Sequence, residues 1–284
     1  MDLLTLINNC SEEEIDSIVD TTLKRAIETS EEGKTLGFDE NMSSLSKFDI
    51  HKGFIHPDTR IKYSNRAAYS YSMKTTDYIY GFARYVKKMN INDRSSLVKY
   101  IENYINSYFG IVGDGIDRRD DYFTQMTFET TTTDEELFEK IANLEIGDLK
   151  GKNVAMCTEK AAMAQNLLSL FGFEVYYCMG CVNNNGKEEA HCFNIARAKD
   201  SYRLLDYSIP VTVFSNGNAV DYAPFQGDIV LDEIENILLN GVNKDFESYE
   251  FIKTQQGIKK MRIGQIRTYN VGSMTFEQTK PKNR

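Results

Sequence analysis

Apolar positions along this chain follow two rhythms. In the first half they recur with a helical period. Ile15, Ile18, Val19, Leu23 and Ala26, with Thr22 in step, fall on one side of a helix. Ser11 followed by Glu14 has the form of a capping box, and residues 1–30 are read as helix. "SSLVKYIENYINSYFG" (95–110) places Leu97, Ile101, Tyr104, Ile105 and Tyr108 on one face and stops at Gly110. The Tyr-rich stretch 63–89 is helical for part of its length, its aromatics serving as core or as a substrate wall. Residues 31–65, with Gly33, Gly37, Gly53 and Pro57, hold loops and a short strand. "GDGIDRRDD" (113–121) is a solvated turn without the spacing or closing Glu of a calcium loop. "TQMTFETTTT" (124–133) suits a strand, and "TDEELFEKIANL" (133–144) a capped helix.

The rhythm changes after "AMCTEKAAMAQNLLSLFG" (155–172). This stretch predicts a helix over 157–171 whose inner face is Cys157, Ala161, Ala164, Leu168 and Phe171, ended by Gly172. Then "FEVYYCMGCV" (173–182), "AHCFNIAR" (190–197) and "YRLLDYSIPV" (202–211) read as strands. Asn185-Gly186 is a hairpin signal, and a tight turn falls at Lys199-Asp200. A later helix is expected over 228–241 and a last strand over 261–269.

Composition narrows the classes. The chain has 284 residues, 41% apolar, enough for one large domain or two small ones. Its formal charge of −9 argues against a nucleic-acid binder. From Thr254 onward, seven Lys or Arg face one acid, Glu277, which is read as a solvated basic end. "MDLLTLINNCSEEEIDS" has no basic leader, so no secretory signal is expected. No window approaches the roughly 18 apolar residues of a membrane span. Five cysteines at irregular spacings do not form a disulfide framework. The expectation is a soluble, cytoplasmic chain, with leaderless export left open.

Cys157 opens a helix. A thiolate is the nucleophilic form, and a helix N-terminus is one setting that brings a thiol from about 8.5 into the range of roughly 3.5–7.5. Such a cysteine needs a base, and the base an orienting partner. The histidines are His51, His56 and His191. The first two sit in a loop-rich stretch without pattern, whereas His191 opens a strand. With the turn centred between Lys199 and Asp200, cross-strand positions sum to 399: His191 faces Ser208, Phe193 faces Asp206, and Ile195 faces Leu204. Asp206 is then a diagonal neighbour of His191 on the same face. A one-residue slip in the turn would send it to the other face.

A competing reading takes Cys178, Cys181, Cys192 and His191 as zinc ligands. Residues three apart, or adjacent, on a regular strand point to opposite faces, which disfavours it.

Three segments together resemble the transglutaminase-like superfamily of papain-like cysteine enzymes. "CTEKAAMAQNLLSLFGFEVYYCMG" is similar to its nucleophile helix running into a strand, "HCFNI" to its His-x-aromatic strand, and "YRLLDYSIP" to its strand ending in Asp. The match spans roughly residues 150–211. It departs in one place: Phe193 stands where the family usually has Trp. The resemblance implies an α+β fold, with a nucleophile helix packed on an antiparallel sheet and an additional helical N-terminal region. On this reading residues 1–90 form that region, as a separate domain or wrapped on the core, and residues 91–284 the catalytic domain. It further implies Cys157 as nucleophile, His191 as general base and acid, and Asp206 as the group orienting the imidazole, with no cofactor and no metal. The family's side-chain oxyanion donor upstream of the cysteine has no assigned counterpart, though Gln125 has suitable chemistry. The expected reaction is thioester-mediated hydrolysis of an amide in a peptide or protein, because water needs no second binding site. Transfer to an amine is the alternative, and an inactive binding module the alternative from another class. No nucleic-acid or membrane partner is expected.

Overall fold

Asp2 sets the first helix: its carboxylate accepts the Thr5 N–H at 2.8 Å, the bond an N-cap side chain makes, and α1 runs Leu3–Asn9. The computed structural model describes residues 2–33, 35–37, 50–62, 70–110, 143–184, 187–198, 201–215, 218–230, 249–254, 257–262, 268–271 and 274–276. Helix α2 (Ile15–Thr29) follows α1, so the N-terminal helical stretch is two helices. The break comes at Cys10, which takes extended backbone as the C-cap of α1. Glu14 then accepts the Ser11 N–H at 2.8 Å, one half of the expected capping box.

The chain divides into two compact units. The first holds residues 1–40 and 53–172, the second residues 41–52 and 173–284. The division at Gly172–Phe173 falls inside the stretch expected as a catalytic domain.

In the first unit, short strands β1 (Thr35–Gly37), β3 (Arg60–Lys62) and β4 (Ser70–Ser72) form a small sheet in the order β1-β3-β4. Helices α3 (Asp77–Lys88) and α4 (Arg94–Phe109) follow. Asp93 caps α4 through the Ser96 N–H at 2.8 Å, and Gly110 ends it with φ 87°, where a side chain is strained. A single 3₁₀ turn (Ile146–Leu149) precedes α5 (Cys157–Leu170), which Gly172 follows at φ 79°. The Tyr-rich region is helix core for much of its length. Phe82 is fully buried, with its ring centroid 5.1 Å from Tyr104 and 5.4 Å from Phe171, and burial of such a side chain stabilises by about 1.5–3 kcal/mol. The turn expected at 113–121, the strand at 124–133 and all but the last two residues of the helix at 133–144 lie outside the described residues, and residues 143 and 144 are not helical.

The second unit is a sheet with the strand order β10 (Gly257–Arg262), β9 (Tyr249–Thr254), β7 (Ser201–Ser215), β6 (Lys187–Ala198), β5 (Val175–Asn184), β11 (Thr268–Val271) and β12 (Met274–Phe276), to which β2 (Ile50–Lys52) adds beside β5 and β8 (Asn218–Val230) beside β7. Its central strands are β5 (Val175–Asn184), β6 (Lys187–Ala198) and β7 (Ser201–Ser215). Strands β5 and β6 pair antiparallel up to Asn184 opposite Lys187, as the Asn-Gly signal leads one to expect. The β6–β7 register sums to 399 as expected: Ala198 pairs with Ser201, Ile195 with Leu204 and Asn194 with Leu205. Strand β7 does not end at Asp206. It runs on with a register shift between Asp206 and Pro210, where proline supplies no N–H to the ladder. Residues 228–230, expected to begin a helix, instead close β8 by pairing with Arg203, Tyr202 and Ser201. The expected strand 261–269 is also divided, between the end of β10 (Gly257–Arg262) and the start of β11 (Thr268–Val271). Strands β9 (Tyr249–Thr254) and β12 (Met274–Phe276) complete the sheet. Helices together with mainly antiparallel strand pairing make the chain α+β.

Candidate active site

The approach to Cys157 is built on the end of α4. A helix C-terminus leaves carbonyls without intrahelical partners. Here the Gly151 N–H donates to the Tyr108 carbonyl and the Asn153 N–H to the Phe109 carbonyl, both at 2.9 Å. Gly110 permits this docking, since a Cβ there would run into the Asn153 side chain. Asn153 itself takes φ 60°, a conformation asparagine tolerates better than most residues. The first turn of α5 carries two further ties. The Glu159 carboxylate accepts the Met156 N–H at 2.8 Å, and the Lys160 ammonium donates to Asn106 Oδ1 on α4 at 3.1 Å.

Cys157 is the first residue of α5 and is half-buried, while every residue from Thr158 to Leu168 is buried. The expected amphipathic helix is therefore enclosed on all sides. Its polar residues are used internally. Asn166 Oδ1 accepts the Ile55 N–H at 2.7 Å, and its amide donates to the Ile55 carbonyl and the Tyr78 hydroxyl. Gln165 donates to the Gly53 carbonyl at 2.7 Å. The Thr158 hydroxyl is buried with no hydrogen-bond partner among the described residues.

His191 and Asp206 belong to the second unit. The backbone of His191 pairs with Gly180 on β5, in step with Phe193 and Ile195. Asp206, fully buried, follows Leu205, where the β6–β7 pairs end among the described residues. On that edge β7 next pairs with β9, from Val213. Even positions of β7 share a face with odd positions of β6, so Asp206 falls on the face of Phe193 and Ile195. His51, read from sequence as lying in a loop, is in β2 opposite Tyr177, which itself pairs with Asn194. That row is on the other face from Asp206. His56 accepts the Asp58 N–H at Nδ1 (3.1 Å) in the first unit. Gln125 lies outside the described residues.

Gly180 lies inside β5, so the backbone of Cys178 and Cys181 belongs to one strand. Cys178 is fully buried and its thiol is pushed up by desolvation, while Cys192 accepts a hydrogen bond from the Tyr177 hydroxyl at 3.4 Å. Sequence reasoning passed over Glu159, Lys160 and Asn106. The signal for the first was present, a glutamate at the third position of the helix that Cys157 opens.

No protein-family model matches the chain, and no curated protein matches it. Fold and site together define a mixed α+β protein with a cysteine at the mouth of a buried helix. No helix among the described residues is long and apolar enough to cross a membrane.

Proposed function

We propose that this chain is a cysteine-dependent acyl-transfer enzyme with a papain-like, transglutaminase-like core, in which Cys157 is the nucleophile, His191 the base and Asp206 the group that orients the imidazole. The observation that carries this reading is the place of Cys157: the first residue of an otherwise enclosed helix and partly open to solvent. The β6–β7 register, which sets Asp206 on the face of Phe193 and Ile195, is compatible with this reading.

The thiolate attacks an amide carbonyl, and a C–S bond forms as the oxygen takes up the negative charge. The Cys157 N–H is the nearest backbone donor for that oxygen. The tetrahedral intermediate collapses, the C–N bond breaks, and the amine leaves with a proton from the His191 imidazolium. Water then gives its proton to His191 and attacks the thioester carbon. The C–O bond forms, the C–S bond breaks, and the acid leaves with Cys157 restored as thiolate beside protonated His191. An amine in place of water would give a new amide.

The test is acylation by an activated ester such as p-nitrophenyl acetate, followed by mass spectrometry. The expected result is an initial burst of nitrophenolate, an acyl group on Cys157 that turns over, and loss of both in Cys157→Ala. Ester hydrolysis unchanged in Cys157→Ala contradicts the proposal. Adding a primary amine separates the two acceptors, through the ratio of amide to acid product.

A further inference from the structure

Helices α3 and α4 carry six tyrosines: Tyr78, Tyr80 and Tyr85 on the first, Tyr100, Tyr104 and Tyr108 on the second. Three of them use their hydroxyls inside the first unit. Tyr78 accepts from Asn166 at 3.0 Å, Tyr80 donates to Asp20 at 2.6 Å, and Tyr108 donates to Asp77 at 2.7 Å. The hydroxyls of Tyr85, Tyr100 and Tyr104 bond no described residue. These three are half-buried and adjoin one another: the Tyr85 ring centroid lies 6.1 Å from that of Tyr100 and 5.7 Å from that of Tyr104. Gly81 leaves room beside them, since a Cβ there would run into the Tyr104 hydroxyl. Met89, one turn past Tyr85, is 42% exposed. Phenylalanine would fill the same contacts without a hydroxyl, so packing alone does not call for three tyrosines. The helices' own charge here is basic. Lys88 is exposed and forms no ion pair with a described residue, and Lys99 is half-buried on α4. After Asp77, α3 has no acid, and the one acid of α4, Glu102, is fully buried.

The geometry points to a docking strip on Tyr85, Tyr100 and Tyr104 for a proline-rich peptide with acidic flanks. A polyproline II segment has a fully solvated backbone and, at proline, no N–H, so it offers carbonyl acceptors and apolar rings. The strip offers the complement: aromatic surface for the proline rings, and donors in three hydroxyls and the Lys88 ammonium. The spacing agrees. Tyr100 and Tyr104 are four residues apart on a helix, a rise of about 6 Å, and two residues of polyproline II advance by about the same length. A helical ligand would leave the hydroxyls unused, because its carbonyls are spent within the helix. Lys88 and Lys99 call for acids beside the prolines, by complementarity of charge. The strip needs no thiol chemistry and stands apart from the reading of Cys157.

The experiment is a fluorescence-anisotropy titration of the full chain into a labelled synthetic peptide, a run of prolines flanked by glutamates. Two further peptides serve as comparisons: the same sequence with glycine for proline, and a helix-forming peptide of equal charge. The expected result is saturable binding of the proline peptide alone. Tyr100→Phe, which keeps the ring and removes one hydroxyl, should weaken it about 5-fold. Lys88→Glu should weaken it further at low salt than at high salt. If Tyr100→Phe does not fold by circular dichroism, Tyr85→Phe makes the same comparison. No saturable binding of the proline peptide overturns the inference, as does equal binding of the glycine or helical peptide. Binding that neither Tyr→Phe variant changes overturns it as well.

Discussion

Cys157 and Cys178 hold the same side chain in opposite settings. Cys157 begins a helix, is half-buried, and has a carboxylate, an ammonium and backbone N–H groups in its own turn. Cys178 sits inside β5, fully buried, its thiol pushed up by desolvation and donating to the Tyr176 carbonyl at 3.8 Å. The difference teaches that element position separates a thiol placed for chemistry from one placed for packing. Residue type alone does not.

The largest expected effect is on that pair directly. In native conditions Cys157 should alkylate at least a thousand-fold faster than Cys178, which requires unfolding to react. Similar rates, by peptide mass spectrometry, would break the comparison. Next comes Asn166→Ala, which strips partners from the buried Ile55 N–H, Ile55 carbonyl and Tyr78 hydroxyl. It should cost about 3 kcal/mol in urea unfolding while leaving the Cys157 rate in the folded fraction unchanged. This sharpens the contrast between the first turn of α5 and its closed second half.

Gly110→Ala should cost about 1–3 kcal/mol, because φ is 87° and the new Cβ meets Asn153. It should also slow Cys157 labelling, since the loop leading to Cys157 docks there. The smallest effect is at Glu174, a partly exposed carboxylate just before β5. Its carboxyl is pulled down to about 2, first by the Tyr176 hydroxyl and then by Arg197 and Lys52. A depressed carboxyl stabilises the fold above its ordinary value near 4.5, and that contribution is lost as pH falls toward about 2. Glu174→Gln should therefore cost about 1 kcal/mol or less at neutral pH, and its deficit relative to wild type should close by about pH 2 in urea titrations.

Much of this was legible in the sequence because local signals fixed it. The Asn-Gly and Lys-Asp signals in the sequence foretell both hairpins, whose pairing reaches Asn184–Lys187 and Ala198–Ser201, and the second register puts Asp206 on the face of Phe193. Gly110 and Gly172 mark two helix ends by their left-handed backbone. What was misread depended on distant partners. Gln165 and Asn166 look like a solvent face until residues 53–55 supply their hydrogen bonds. Asp228, Ile229 and Val230 follow a helical pattern but are held by β7. His51 looks like a loop residue until β5 pairs with it. Glu159 was legible as a cap, but its burial beside Cys157 was not.

The measurement that tests the central claim most directly is the alkylation rate of Cys157 against pH in wild type and His191→Ala. The account predicts fast labelling of Cys157 in wild type that persists below about pH 7, and its suppression in His191→Ala with the fold intact by circular dichroism. Identical profiles for the two proteins would contradict a thiol and imidazole acting as a pair.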